Sequence, residues 1–444
     1  MRETIYALSS GAGVAGVAVV RLSGPQCDAI LAALGMTRLP VARYAEIHNI
    51  LYPRTLEILD NALILRFPAP GSFTGEDVAE LHLHGGDAVL AAVFGALEAT
   101  GLARMAEPGE FTRRAFENGK LDLTAAEAIG DLIAARTEEQ RKLALRQYDG
   151  ELAVLYDGWR AQLIDLLGYA EAGIDFSDEE LPEGLEGEVV ARINHIKQGV
   201  VRHSSVELLG EQIRIGFPIS ILGAPNVGKS SLMNALARRD VAIVSEIAGT
   251  TRDVIEVQMN LGGFAVMISD TAGIRESTDQ VEAEGVRRAE SRARDAALKL
   301  IVVDARFADI PERVRALIDE DTIVVRNKMD LLETIPDNLQ MEGALTTVPI
   351  SVRTGEGIED LISVLGDCVK VRLSAHEGAV PTRQRHRDAL KATVEALERA
   401  TVGELPELVA EDIRLAARAL GRITGRVDID EILDTVFRDF CIGK

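Results

Sequence analysis

The octapeptide GAPNVGKS at residues 223–230 has the residue types and the spacing of a loop that binds phosphate groups. The apolar stretch PISIL precedes it and SSLMNALARR follows it, which predicts a strand, a loop and a helix in that order. Gly223 and Gly228 allow backbone N–H groups to close around phosphates. Lys229 can reach the outer phosphates, and the Ser230 hydroxyl can give an oxygen to Mg²⁺. The segment therefore predicts a site for a nucleoside triphosphate and magnesium.

Two threonines and an aspartate downstream have the chemistry to complete the magnesium shell. DTAG at 270–273 ends an apolar stretch, so we expect Asp270 beside the phosphates and the Gly273 N–H to sense a γ-phosphate. GTTRD lies between the phosphate loop and DTAG, and one of its threonine hydroxyls is expected to close on Mg²⁺ when the γ-phosphate is present. We expect Thr251 rather than Thr250 to do so. The segment would then act as a nucleotide-dependent switch.

Specificity for guanine is indicated by NKMD at 327–330, which ends another apolar stretch. The Asp330 carboxylate can accept hydrogen bonds from N1–H and the 2-amino group of guanine, and adenine offers neither donor. Asn327 and the stem of Lys328 would complete the base pocket, and SVRTG at 351–355 can present backbone N–H to the guanine oxygen. The order of these segments along the chain predicts GTP rather than ATP. The residues expected to contact GTP are Asn226, Val227, Gly228, Lys229, Ser230, Ser231, Ser245, Glu246, Ile247, Ala248, Gly249, Thr250, Thr251, Asp270, Thr271, Ala272, Gly273, Asn327, Lys328, Asp330, Ser351, Val352 and Arg353.

The residue that orients the attacking water is not fixed by these spacings. Many small GTPases carry glutamine just after DxxG, but here Ile274 stands at that position and cannot orient a water molecule. The segment RESTDQVEAEG downstream offers Asp279, Glu282 and Glu284 as candidates. A solvent-exposed helix has the same acidic composition. The residues alone therefore do not decide which of these carboxylates orients the attacking water and which belong to an exposed helix face.

The elements that position these residues belong to a chain of 444 residues, long enough for roughly two to four domains. A net charge of −22 argues against a broad basic face for DNA, so any RNA contact must be local. The basic run RQRHR at 383–387 is either such a contact or a solvated helix start. The stretch GAGVAGVAVV is too short and glycine-rich for a signal peptide or membrane span, so we expect a cytoplasmic protein without a membrane segment. Cys27, Cys368 and Cys441 are isolated, which indicates neither a disulfide framework nor a zinc site.

Three kinds of pattern follow one another along the chain. Residues 1–119 alternate short apolar runs with Gly and Pro turns, which predicts a small α+β domain. Residues 120–212 and 372–444 place apolar residues three and four apart, which predicts helices. Residues 213–371 contain five predicted strands, in PISILG, AVMISD, LKLIVVDA, DTIVVRNK and TTVPIS, most of which lead into helices; this alternation predicts a parallel sheet covered on both faces. Because neither helical segment looks able to bury its own apolar stripes, we expect one discontinuous helical domain with the α/β unit inserted, rather than two separate helical arms.

These segments together resemble the MnmE (TrmE) family of tRNA-modification GTPases over essentially the whole chain. The resemblance rests on GAPNVGKSSLMNAL, DTAGIRESTDQVE, FTGEDVAELHLHGG at 73–86, GEFTRRAFENGKLDLTAAEAIGDLI at 109–133 and the terminal FCIGK. It implies a multidomain protein with a folate-binding-like α+β N-terminal domain, a discontinuous all-α helical domain and an inserted Ras-like α/β P-loop GTPase domain. It also implies a homodimer formed through the N-terminal domains.

The same resemblance gives roles to single residues. It implies a pocket for 5-formyl- or 5,10-methylenetetrahydrofolate at the dimer interface, and the matching positions are Arg21, Glu80, Lys120 and Lys444. It implies that K⁺ binds beside the phosphates when two GTPase domains meet, and the matching positions are Asn226, Ser245, Ile247 and Thr250. Glu282 would hold the attacking water through a bridging water. Lys229, which can reach the outer phosphates, would be a second catalytic residue. Cys441 would lie at the centre of the helical domain, near the folate and the RNA base, as a nucleophile or acid, although a buried or merely packed cysteine is the commoner fate.

The activity that the resemblance implies is the addition of an aminomethyl or carboxymethylaminomethyl group to C5 of the wobble uridine of certain tRNAs. A flavin (FAD)-dependent partner would share the reaction in a heterotetramer or larger complex, and a one-carbon folate would supply the methylene group. Two other functions stay open. One is a ribosome-assembly GTPase, which would usually carry a basic RNA-binding module that this acidic chain does not show. The other is a folate enzyme with a regulatory GTPase domain.

Overall fold

The computed structural model describes residues 2–175, 185–239, 241–242, 256–270, 296–307, 312–334, 340–374, 378–403, 405–427, 433, 436–438 and 440–443. Its strands are β1 (Thr4–Leu8), β2 (Ala15–Ser23), β3 (Glu46–Leu51), β4 (Ile58–Phe67), β5 (Val78–Gly85), β6 (Ala103–Met105), β7 (Phe217–Leu222), β8 (Glu256–Leu261), β9 (Phe264–Asp270), β10 (Leu298–Asp304), β11 (Thr322–Asn327) and β12 (Thr346–Pro349). Its helices are α1 (Cys27–Ala33), α2 (Asp87–Thr100), α3 (Glu110–Glu117), α4 (Leu123–Ala134), α5 (Glu138–Tyr148), α6 (Glu151–Asp175), α7 (Leu185–Ser204), α8 (Glu207–Ile215), α9 (Lys229–Ala237), α10 (Glu312–Arg315), α11 (Ile358–Leu373), α12 (Gln384–Val402) and α13 (Pro406–Thr424). Within these ranges, no helix is both long and apolar enough to cross a lipid bilayer.

The N-terminal part of the chain forms a six-stranded sheet in the order β3-β4-β5-β2-β1-β6. Its neighbours are antiparallel except for β1 and β6, which are parallel. Alternation along the strands sends Val20, Leu22 and Leu81 to one face, where they are fully buried against α1 and α2. Residues of the opposite parity, such as Arg21 and Glu80, lie on the other, half-exposed face. This arrangement confirms the predicted α+β fold.

The α/β part also forms a six-stranded sheet, in the order β12-β11-β10-β7-β9-β8. The five predicted strands are present and run parallel to one another. The prediction of a wholly parallel sheet is wrong at one edge, where β8 pairs antiparallel with β9. Gly262 and Gly263, with φ of 61° and 92°, form the two-residue turn between these strands. A Gly-Gly pair between two apolar runs is a hairpin signal, and the sequence reading did not use it.

Helices on the two sides of the α/β insertion pack against each other in pairs. Helix α6, before the insertion, packs on α13, after it, and α7 packs on α12. At the end of α13 the Thr424 hydroxyl donates to Asp157 Oδ1 of α6 at 3.0 Å, and Arg426 donates to the same carboxylate at 2.7 Å. The helical segments therefore complete each other as predicted, and the alternative of two separate arms is wrong.

The chain divides into two compact units. The first unit contains residues 1–130, 148–181 and 403–444, and the second contains residues 131–147 and 182–402. The α6–α13 pair belongs to the first unit, and the α7–α12 pair with the α/β sheet belongs to the second. The four sequence segments that begin at residues 1, 120, 213 and 372 remain predictions as domain boundaries.

The basic run at 383–387 is held by acidic residues of the second unit. Arg383 donates to Asp131 Oδ1 at 2.9 Å, and Arg387 is paired with Glu211. His386 between them is fully buried. The interpretation of this run as a solvated helix start is therefore wrong, because its cations neutralise carboxylates where the chain returns from the α/β sheet to α12.

Candidate functional site

The phosphate loop connects the carboxyl end of β7 to the amino end of α9, as predicted. Gly223 has a φ of 143°, and a Cβ at this position would lie 2.3 Å from the carbonyl oxygen of Val302 in β10. No side chain fits such a gap, so glycine is required for the loop to lie directly on the sheet. The nine-residue helix α9 then begins at Lys229. Its first-turn N–H groups lack partners within the helix, which makes this end suitable for an anion.

Lys229 and Ser230 occupy the first turn of α9. The Lys229 ammonium donates to the carbonyl oxygens of Gly223 and Ala224, at 2.9 Å each, and the residue is buried. The ammonium is thereby held inside the loop that would surround the phosphates. Ser230 is exposed, so its hydroxyl is accessible to a cation. The geometry of the loop fits the predicted binding of phosphate and magnesium.

Asn327 connects the phosphate loop to both guanine-recognition segments. Its side-chain amide donates to the carbonyl oxygen of Val227 at 2.8 Å, and its Oδ1 accepts from the Val352 N–H at 3.1 Å. The residue is 3% exposed. Gly228 lies against this amide so closely that a Cβ would be 2.3 Å from Asn327 Nδ2. Asn327 therefore fixes the spacing between the phosphate site and the base site.

The Asp330 carboxylate lies where NKMD and SVRTG meet. The Ser351 hydroxyl donates to Asp330 Oδ1 at 2.6 Å, and Arg353 Nε is 3.5 Å from Oδ2. The side chain of Asp330 is only 10% exposed, whereas that of Arg353 is 79% exposed. A carboxylate oriented by a hydroxyl in this way can accept the two guanine donors. The structure thus brings together Asp330, Ser351 and Arg353, which were predicted separately.

Lys328 lies across the phosphate loop, and its partner was not predicted. Its ammonium donates to the carbonyl oxygen of Asn226 at 2.7 Å and to Asp304 Oδ2 at 2.8 Å. Asp304 ends β10 at the same edge of the sheet as NKMD. Because the carboxyl ends of parallel strands meet at one edge, the aspartate in LKLIVVDA was a signal that sequence reasoning missed. A cavity of about 350 Å³ borders these three residues.

Several predicted site residues lie outside the described part of the chain. Asp270 ends β9 and pairs in register with Ile221 of β7, which puts its backbone beside the phosphate loop. Of the remaining predictions, those outside the described residues are Ser245, Glu246, Ile247, Ala248, Gly249, Thr250, Thr251, Thr271, Ala272, Gly273, Glu282 and Lys444. Their roles stay predictions.

The predicted folate residues Arg21 and Glu80 face each other across β2 and β5 of the N-terminal sheet. Arg21 donates to Glu80 Oε1 through Nε at 3.0 Å and through the terminal nitrogen at 2.9 Å, and both side chains are about one-fifth exposed (21% and 17%). The guanidinium carbon also lies 5.5 Å and 5.8 Å from the ring centroids of Phe73 and Phe111. His82 Nε2 is 3.3 Å from the second oxygen of Glu80. Charged and aromatic groups therefore converge on one face of the sheet.

Lys120 lies next to the loop that carries Phe73. The Asn118 amide donates to the carbonyl oxygen of Thr74 at 2.6 Å, and a Cβ on Gly75 would lie 3.5 Å from Lys120 Cγ. Lys120 itself is exposed. The loop at residues 73–76 thus has the Arg21 guanidinium near its start and Lys120 against it.

The C-terminal segment that carries Cys441 is attached to the N-terminal sheet. Ile442 forms a β-bridge with Pro108, and the Ser9 hydroxyl donates to the carbonyl oxygen of Gly443 at 2.9 Å. Cys441 is exposed. The alternative of a buried cysteine is therefore wrong, and the thiol lies in the same compact unit as Arg21 and Glu80.

Comparison with known proteins identifies the family of the chain. The family described as the MnmE helical domain matches residues 123–441, and the GTP-binding protein TrmE N-terminus matches residues 4–120. Proteins named tRNA modification GTPase MnmE from Paramagnetospirillum magneticum and Parvibaculum lavamentivorans are 52% and 50% identical, with all of this chain and all of each relative covered. The protein of the same name from Rhodospirillum rubrum is 50% identical over 100% of this chain and 99% of its own length. The chain therefore belongs to the MnmE (TrmE) family of tRNA modification GTPases.

Proposed function

We propose that the chain uses GTP hydrolysis to drive addition of an aminomethyl or carboxymethylaminomethyl group to C5 of the wobble uridine of certain tRNAs. The observation that carries the proposal is the connection of the phosphate loop to the guanine-recognition segments through Asn327, in a chain that matches tRNA modification GTPases over its whole length. In this proposal a flavin-dependent partner protein shares the reaction, and a one-carbon folate supplies the methylene group.

Nucleoside mass spectrometry of tRNA from cells that lack the protein tests this function. We expect loss of the C5 substituent from wobble uridine, with restoration by the wild-type chain and not by Lys229→Ala. Unchanged tRNA together with immature ribosomal particles would favour a ribosome-assembly GTPase instead. Unchanged tRNA with altered folate pools would favour a folate enzyme that acts on small molecules.

The phosphate loop is proposed to hold both Mg²⁺ and K⁺ when GTP is bound. Ser230 and Asn226 are exposed residues of the phosphate loop. Hydroxyl and amide oxygens are suitable ligands for hard cations. K⁺ beside the phosphates would offset the negative charge that develops during hydrolysis. Ser245, Ile247 and Thr250 are the remaining proposed K⁺ ligands, Thr251 is the second Mg²⁺ ligand and Glu282 holds the attacking water.

The K⁺ proposal has a direct kinetic test. We expect GTP hydrolysis to be much faster in K⁺ than in Na⁺, and Asn226→Ala to remove this difference while GDP binding is retained. Equal rates of the wild-type protein in the two salts would refute the K⁺ role. A Ser230→Ala variant serves as the comparison, because it should raise the Mg²⁺ concentration that hydrolysis requires and leave the ratio of K⁺ to Na⁺ rates unchanged.

A reduced folate is proposed to bind the polar face of the N-terminal sheet. Arg21 offers a guanidinium that suits the carboxylates of a glutamate tail, Glu80 offers acceptors for pterin N–H groups, and the half-buried Phe73 offers a flat apolar surface. Lys120 and Lys444 add positive charge for the tail. Equilibrium dialysis with 5-formyltetrahydrofolate measures this binding, and no uptake by the purified dimer would exclude the site.

Association into a homodimer is proposed to complete this pocket. The face of the N-terminal sheet that carries Arg21 is half-exposed and includes Val17 and Ile47, which are 56% and 67% exposed. An interface on this face would remove these apolar side chains from water. Light scattering should give twice the chain mass, and a monomer in every nucleotide state would contradict the proposal. Val17→Asp should shift the protein toward monomers and weaken folate binding at the same time.

The Cys441 thiol is proposed to act near the folate as a nucleophile or acid. Its exposure, and the attachment of its segment beside β1, are consistent with access to a second molecule. Cys441→Ser should abolish wobble modification in cells and leave GTP hydrolysis unchanged. Normal modification by this variant would remove the catalytic role, and Ser9→Ala tests whether attachment of the tail itself is needed.

A further inference from the structure

The Asp304 carboxylate is a buried charge at the edge of the nucleotide site. Its side chain is 6% exposed, so the carboxylate requires positive partners to remain ionised. It accepts from Arg306 through Nε at 3.0 Å, the terminal nitrogen at 2.7 Å and the backbone N–H at 3.1 Å. The Lys328 ammonium supplies a further hydrogen bond at 2.8 Å. Arg306 and Lys328 therefore approach one carboxylate from two segments of the chain.

Lys328 continues from Asp304 to the phosphate loop. Its ammonium also donates to the carbonyl oxygen of Asn226 at 2.7 Å. Both residues have left-handed backbones, with φ of 67° at Lys328 and 62° at Asn226. This conformation is disfavoured for residues with a Cβ, so other contacts must hold it. The ammonium, fixed by Asp304 at one side and by the Asn226 carbonyl at the other, joins the two strained positions.

We propose that Asp304 is a positioning residue for guanine nucleotides, acting through Lys328. By anchoring the ammonium, it holds the lysine stem across the phosphate loop, at the level where NKMD receives the base. Asp304 itself does not touch the nucleotide. Its loss allows Lys328 to leave the loop, so bound nucleotide escapes faster although the groups that contact phosphate and base are all present.

The dissociation rate of a fluorescent GDP analogue from the full-length protein measures this effect. Asp304→Asn removes the charge and keeps the shape, and we expect dissociation about tenfold faster, in line with loss of a charge-assisted hydrogen bond. The matched control is Asp319→Asn, because Asp319 pairs with Lys299 at the opposite end of the same two strands. That variant should release the analogue within about twofold of the wild-type rate. A wild-type rate for Asp304→Asn, or an equal acceleration by both variants, would overturn the proposal.

A double-variant cycle separates positioning from a general loss of packing. If Asp304 acts through Lys328, the variant with both Asp304→Asn and Lys328→Gln should release the analogue no faster than Lys328→Gln alone. Multiplication of the two effects would show that Asp304 acts by another route. Arg306→Gln adds a second control, since it removes the other cation and leaves Lys328 in place. Should Asp304→Asn not fold, Asp304→Glu provides the same comparison, with a rate between those of the wild type and Lys328→Gln expected, and a rate equal to that of the wild type or exceeding that of Lys328→Gln contradicting the inference.

Discussion

The two six-stranded sheets carry their polar groups in different places. In the α/β sheet the phosphate loop, Asp304 and the NKMD and SVRTG segments follow the carboxyl ends of parallel strands. In the N-terminal sheet Arg21 and Glu80 lie in the middle of antiparallel strands, on a face rather than at an edge. The first site is therefore made largely of loops and backbone groups, and the second of side chains that alternate across a pleat.

This difference predicts different kinds of sensitivity. A site at the strand ends depends on close approach between loops, as at Gly223 and Gly228, where an added Cβ would overlap a neighbour. A site on a sheet face depends on which charges stand opposite each other, as at Arg21 and Glu80. Added bulk should damage the first site most, and altered charge should damage the second. The following substitutions test that contrast.

Gly228→Ala should nearly abolish nucleotide binding. The residue has a φ of 104°, and the new Cβ would lie 2.3 Å from Asn327 Nδ2, so the loop and the base site must separate. We expect the Kd for GTP, measured by fluorescence titration, to rise about 100-fold or more. Gly366→Ala is the matched control, because its Cβ would meet open space on a helix. A tight-binding Gly228→Ala protein would show that backbone approach is not limiting at this site.

Asp330→Asn should change the base that is bound. The carboxylate accepts from the N1–H and 2-amino donors of guanine, whereas xanthine carries an oxygen in place of the 2-amino group. We therefore expect GTP hydrolysis at low substrate to fall about 100-fold and xanthosine triphosphate to become a substrate. Ser351→Ala removes only the hydroxyl that donates to the carboxylate at 2.6 Å. It should therefore lower GTP hydrolysis at low substrate by a smaller factor. Unchanged preference for GTP in Asp330→Asn would contradict the assigned role.

Glu80→Gln should weaken folate binding by about tenfold without affecting GTP hydrolysis. The change keeps the size of the side chain but removes the charge that faces Arg21 and accepts from it at 3.0 Å. Equilibrium dialysis with 5-formyltetrahydrofolate gives the affinity. Glu46→Gln is the control. Glu46 lies in β3, an edge strand of the same sheet, and pairs with Arg38. Equal losses in the two variants would mean that sheet stability, and not the pair itself, had been measured.

Glu110→Gln should give a modest loss of stability that depends on pH. Burial alone would raise the pKa of Glu110, but hydrogen bonds from Arg104, the Glu107 N–H and Arg114 hold it below its usual value. A depressed pKa in the folded state means that the stabilisation is complete above the unfolded pKa of about 4.3 and is lost as the pH falls below it.

Denaturation at two pH values checks this prediction. The difference between wild type and Glu110→Gln in the free energy of unfolding should be about 1–3 kcal/mol at neutral pH and should shrink below about pH 4. Glu138→Gln, which alters an exposed pair with Arg141, should show no measurable difference. A difference for Glu110→Gln that is constant with pH would indicate lost packing rather than lost charge.

Local spacing predicted the fold class, the five parallel strands and the positions of the phosphate and guanine segments. Those predictions were possible because glycines, a lysine and short polar segments at strand ends obey rules that act within a few residues. Strand β8 was missed because its apolar pattern is short and the Gly-Gly turn that joins it to β9 was not used as a hairpin signal. The environment of Cys441 was also out of reach, since its segment is attached to Ser9 and Pro108, far away along the chain.

The amino-acid sequence alone was enough to identify a multidomain GTPase of the MnmE (TrmE) family, because its motifs are local and their order is specific. Which of these groups meet depends on how the chain folds. The fold placed Asp304 on Lys328, joined Asn327 to the phosphate loop and paired Arg21 with Glu80. Each of these contacts joins residues more than twenty positions apart. Their geometry depends on strand order and register, which side-chain spacing along one segment does not encode.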